Sequence, residues 1–176
     1  MKLIRLTSIL LAFAFLLVST SVAARGFKTP IKQLWGFTSG EAEFVENFAC
    51  FNPDPLRPPV ETVTATAGWI RGMGWVAMDT WHCTPGDDGL VIDGQATFTL
   101  WKGHELTATY TAETVMPPPV IVQEIKFSIL GGTGRFEDAF GTFLATAVIE
   151  GQFVDGEPNA EVPWKLKFSY TGWLNY

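Results

Sequence analysis

Few side chains in this sequence could do chemistry, and their spacing decides between them. Trp75, Ala77, Asp79 and Trp81 share one parity, so on an extended strand they project from one face and set a carboxylate between two indoles. Turned into an apolar interior, Asp79 would be a desolvated acid able to give or take a proton on a bound molecule, which makes it the candidate catalytic residue. Turned to solvent, it is an ordinary surface acid. His82 and Cys83 are adjacent, and a Cys/His nucleophilic pair needs both on one side, whereas neighbours on a strand point to opposite faces. His104 lies in Lys102-Gly103-His104, a turn-like run, and reads as solvated. Ser/His/Asp chemistry lacks a GxSxG elbow, and Asp87-Asp88-Gly89 has too few spaced carboxylates for a calcium loop.

The two cysteines, Cys50 and Cys83, form neither a CxxC motif nor a Cys/His array of the zinc type, so no metal is expected. Their compartment suggests another role. Lys2 and Arg5 precede an apolar run from Ile9 to Val18, and small residues follow to Ala24, which are the three parts of a secretory signal. Residues 1–24 are read as that signal and residues 25–176 as one exported domain, extracellular or periplasmic. The apolar run is too short for a convincing transmembrane helix. In an oxidising compartment Cys50 and Cys83 are expected to pair, and closing a loop of about 34 residues would stabilise the fold by about 3–4 kcal/mol.

The elements that must position these residues are strands. Thr, Val, Ile and aromatic residues recur in runs bounded by Gly, Pro and Asp, predicting strands near 32–44, 61–71, 73–82, 90–101, 104–113, 121–130, 136–149 and 163–175. In 105–113, Leu106, Ala108, Tyr110 and Ala112 alternate with Glu105, Thr107, Thr109, Thr111 and Glu113, as a half-buried strand requires. Short glycine turns, such as Lys102-Gly103-His104 and Gly131-Gly132-Thr133-Gly134, favour a meander. The proline-rich run Asn52 to Pro59 and Met116 to Pro119 belong in loops at strand ends. The fold class is therefore all-β, an eight-stranded, mainly antiparallel up-and-down barrel whose closure removes exposed edges.

The run Ile129-Leu130-Gly131-Gly132-Thr133-Gly134-Arg135-Phe136-Glu137-Asp138-Ala139-Phe140-Gly141 resembles the GGTGxF-x-x-A-x-G hairpin of the allene oxide cyclase and dirigent proteins. Upstream, Asp93 to Leu106 is similar to that family's paired strands, although the turn reads Gly103-His104 where the family has Gly-Asp. The likeness spans residues 70–175 and implies a calycin-like barrel with a hydrophobic lumen, used for cofactor-independent cyclisation, guided radical coupling or simple binding. No catalytic residue matches one for one. A phosphate-cradling reading of the glycines fails, because G-G-x-G fits neither GxGxxG nor GxxxxGK[ST] and no helix is expected behind it.

The chain has 176 residues, 47% hydrophobic and 14% aromatic, with 18 Asp plus Glu against 12 Lys plus Arg. Loss of residues 1–24 removes Lys2 and Arg5 and deepens the acidity. Such a chain lacks the basic stripe that nucleic acid demands. The expected partner is a small hydrophobic or aromatic molecule, with no cofactor and no stable membrane insertion. Trp69, Trp75, Trp81, Phe98, Tyr110 and Phe127 are the candidate lumen residues, and Phe168 could complete the lining. Two alternatives stand: an outer-membrane barrel, suggested by alternation and a terminal aromatic in Phe168 to Tyr176, and an interaction protein with a filled core.

Overall fold

Alternation of apolar and polar residues runs through every long strand and fixes which edge of each faces the centre. In the computed structural model, residues 31–46, 50, 60–83, 90–117, 120–154, 157–159 and 161–176 are described. The signal reading at 1–24, the proline-rich loop 52–59 and the turn 84–89 lie outside them. The strands are β1 (Ile31–Glu46), β2 (Val60–Arg71), β3 (Gly74–Cys83), β4 (Leu90–Leu100), β5 (Glu105–Met116), β6 (Val120–Gly132), β7 (Gly141–Glu150), the short β8 (Phe153–Val154) and β9 (Glu157–Pro158), and β10 (Trp164–Asn175). From β1 to β7 each strand pairs antiparallel with the next, and β10 pairs with both β7 and β1. The result is the closed eight-stranded barrel that the strand spacing predicts, with β8 and β9 as a separate small hairpin.

The inner face carries Leu34, Ile70, Val76, Met78, Phe98, Leu106, Phe127, Phe143 and Leu174, all buried. The outer face carries Glu41, Asp79, Glu124, Lys126 and Lys167 along the middle of the strands, all exposed. A membrane-spanning barrel needs the reverse, an apolar band outside and a polar interior. The outer-membrane alternative therefore fails on the distribution of charge.

One boundary differs from the expectation. The strand predicted to begin at Phe136 begins at Gly141, and Gly134–Phe136 forms a single 3-10 turn. Gly131 and Gly134 take positive φ, whereas Gly132 is required for space, since a Cβ there would lie 2.0 Å from the Glu105 carbonyl oxygen. This backbone turns Phe136 inward instead of starting a strand. Phe136 has no exposed surface, and its ring sits 4.6 Å from that of Tyr176. Arg135 lies over both rings and donates to the Met73 carbonyl at 2.6 Å, while the Tyr176 hydroxyl donates to the Gly72 carbonyl. The end of the barrel holding the β2–β3 and β4–β5 turns is thus plugged.

At the opposite end lie the last residues of β3 and β5 and the first of β4, β6 and β10. Cys50, beyond the end of β1, is joined there to Cys83 at the end of β3, with Cα atoms 5.3 Å apart. The disulfide expected from composition and compartment is present. It ties the segment after β1 to the rim next to His82.

Candidate functional site

The strand that suggested a site faces the other way. On β3, Val76, Met78, Thr80 and His82 are buried, whereas Trp75, Ala77, Asp79 and Trp81 are exposed on the outer wall. The expectation that Asp79 lies between two indoles in the lumen is corrected by this parity. Two indoles on one face look like core, yet the small Ala77 and charged Asp79 between them leave that face poorer in continuous apolar surface than Val76 and Met78. Trp69 also lies on the outer wall, half-buried, with its ring 5.2 Å edge-on from Trp35. The remaining candidates, Phe98, Tyr110 and Phe127, point inward and touch one another, with ring centroids 5.5 Å apart for Phe98 and Phe127 and 5.4 Å for Tyr110 and Phe127.

Phe143 stacks on Phe127 at 4.9 Å, and Phe98, Phe127 and Met78 have no exposed surface. This part of the interior is occupied by aromatic side chains packed against one another. Facing the aromatic wall is a threonine-lined wall built by β1, β2 and β3. The Thr66 hydroxyl donates to Thr38 Oγ1 at 3.0 Å, Thr38 bonds Tyr170 Oη at 2.8 Å, and Tyr170 donates to Met78 Sδ at 3.2 Å. Phe168 stacks beside Tyr170, 6.1 Å away.

A second relay runs nearer the end that holds the disulfide. Thr64 and Thr80 share a hydrogen bond of 2.7 Å, and Tyr110 Oη lies 2.6 Å from His82 Nδ1. One hydrogen bond joins the phenol to the imidazole, and the tautomer of the ring sets which of the two donates. Burial pushes the His82 imidazole down to about 4, against the weaker pull of Asp93 and Glu61, and burial raises Tyr110 well above the ordinary phenol range. The pair therefore stays uncharged at neutral pH, a phenol bonded to an imidazole in an apolar setting.

Gly94 makes room for this pair. It sits at a register shift of β4 opposite Tyr110, and a Cβ there would meet the Tyr110 ring at 2.4 Å. Around the pair, burial of the inward-facing residues falls off toward the rim. Thr62, His82 and Gln123 are 8%, 7% and 9% exposed, and Phe44, Thr114, Ile121 and Ile149 are half-buried. Trp164 packs edge-on to Phe44 at 4.9 Å, and Gln123 Nε2 donates to Thr114 Oγ1 at 3.3 Å. This end thus combines aromatic and aliphatic walls with a few polar groups, the mixture typical of small-molecule sites. Outside the barrel, an open groove of about 390 Å³ over β5, β6 and β7, with Glu113, Glu124 and Lys126 on its walls, includes neither His82 nor Tyr110.

Sequence reasoning passed over His82 because it weighed the residue only as a partner for Cys83. The signal was present in parity: His82 follows Val76, Met78 and Thr80 on the inward face. Among the described residues no cluster of His, Cys, Asp or Glu could hold a metal ion. Comparison with protein-family models, with curated proteins and with solved structures finds no match to this chain. Fold and site define a class on their own terms: a disulfide-stapled, closed eight-stranded antiparallel barrel, plugged at one end, with a neutral His–Tyr pair below the other.

Proposed function

We propose that this is an exported barrel that binds one small apolar or aromatic molecule at its open end, with the His82–Tyr110 pair as the polar contact. The observation that carries the reading is the neutral pair held 2.6 Å apart just inside a rim of half-buried apolar side chains. A buried histidine weakens the fold below its ordinary titration range, so its placement beneath the rim is better explained by recognition than by packing. The disulfide suits an oxidising compartment and supports export. The resemblance to allene oxide cyclase and dirigent proteins supports the same reading, in which the barrel shapes a bound molecule without a cofactor.

Calorimetric titration with 4-ethylphenol, which joins a hydroxyl to an apolar ring, tests the proposal. Saturable one-to-one binding is expected, weakened about tenfold in His82→Phe by loss of one hydrogen bond in an apolar setting. No saturation at millimolar phenol, or equal binding by the variant, would overturn it.

A further inference from the structure

We propose that the plugged end of the barrel rests on an anionic lipid surface, with a collar of aromatic side chains dipping into the headgroup layer. The outer wall is polar at mid-height but apolar near this end. Trp173 on β10, Trp35 and Phe37 on β1, Trp75 on β3, Trp101 in the turn after β4 and Leu130 on β6 are all exposed, Trp101 at 81% and Trp75 at 67%. The register sets Phe37 opposite Trp69 and Trp69 opposite Trp75, so the rings form a line across adjacent strands instead of along one. Aromatic rings at a common height are how proteins sit at a water–lipid boundary.

Shape and charge select the occupant. The collar follows a convex wall across β10, β1, β2, β3 and the β4–β5 turn and continues to β6. A second rigid barrel would touch such a wall along a narrow stripe and leave most of the rings in water, whereas a fluid interface covers all of them. Cations are interleaved with the rings: Arg71 is opposite Trp35, Lys32 precedes the same strand segment, and Lys102 follows Trp101, all exposed. Acids also lie at this end, Glu105 at the start of β5 after the Trp101 turn and Glu137 and Asp138 in the plug, whereas the β1–β2 part of the collar carries Lys32 and Arg71. An otherwise acidic chain thus gathers cations among its exposed indoles, the combination that binds anionic headgroups. The contact is peripheral, because the charged mid-height of the wall excludes deeper insertion.

Flotation of the full chain with vesicles tests this, using phosphatidylcholine alone and phosphatidylcholine with one quarter phosphatidylglycerol. Binding is expected to the mixed vesicles, about fivefold weaker for each cation neutralised in Arg71→Gln and Lys102→Gln. The double variant Trp75→Ser, Trp101→Ser should bind at least about tenfold more weakly. Ile92→Ser, an exposed apolar residue on β4 near the other end, should bind as the parent does. Circular dichroism verifies that each variant is folded, and the charge variants decide the matter should the tryptophan pair be misfolded. Unchanged binding by the charge and tryptophan variants would assign the membrane contact to the leader and overturn the proposal. So would absence of binding by the parent chain, or self-association that shields the tryptophans without lipid.

Discussion

Lowering the pH from 7 to 5 should weaken the barrel mainly through one side chain, His82. Burial holds its imidazole down at about 4 from an ordinary 6.5, with Asp93 and Glu61 opposing that shift. As pH falls, the unfolded chain takes up a proton near 6.5 while the folded chain refuses it until about 4. Stability is therefore complete above the unfolded value, starts to fall near 6.5 and has lost the whole contribution below about 4. Linkage with these two values gives a loss of about 2 kcal/mol between pH 7 and 5, and about 3 kcal/mol by pH 4. For a domain of this size, 2 kcal/mol lowers the melting temperature by about 4–8 °C. Thermal melts of wild type and His82→Gln at both pH values provide the assay. Carboxylates titrate in both proteins, so the difference between them isolates the imidazole. The variant should lose about 2 kcal/mol less than wild type on acidification. Equal losses would refute the assignment of a neutral, desolvated His82.

Other substitutions probe the supports of this site. Gly94→Ala places a methyl group 2.4 Å from the Tyr110 ring, so it should destabilise the fold by about 1–3 kcal/mol, measured by urea unfolding. Cys50→Ser opens the loop closed at Cys83 and should cost about 3–4 kcal/mol in the same assay; reduction of the wild type should have a similar effect. Asp79→Asn, on the exposed outer wall, should change stability by less than about 0.5 kcal/mol and leave phenol binding as it was. Weakened binding in that variant would return Asp79 to the site.

Period two made the barrel legible. On β5 the alternation of Leu106, Ala108, Tyr110 and Ala112 with charged and hydroxyl residues could be read directly, and the structure places those four inside. The same rule was ambiguous on β3, where both faces carry large apolar residues. There the choice depended on neighbours distant in sequence: Thr80 can be inward because Thr64 on β2 bonds its hydroxyl, and His82 because Tyr110 on β5 bonds its ring. The plug was hidden for a related reason. Gly131 to Gly134 reads as a tight reversal, but Gly132 pressed against the Glu105 backbone and Arg135 reaching Met73 redirect Phe136 into the barrel. The site followed from tertiary satisfaction of polar groups, which no local pattern records.

The central claim concerns what His82 and Tyr110 do beneath the open rim. The most direct measurement is the imidazole ¹⁵N resonances of His82 during titration with 4-ethylphenol at neutral pH. Binding at this pair should move them saturably while the ring stays neutral, and Tyr110→Phe should diminish the effect. Resonances that stay fixed while phenol binds elsewhere, or that do not respond at any phenol concentration, would contradict the assignment of this end as a binding site.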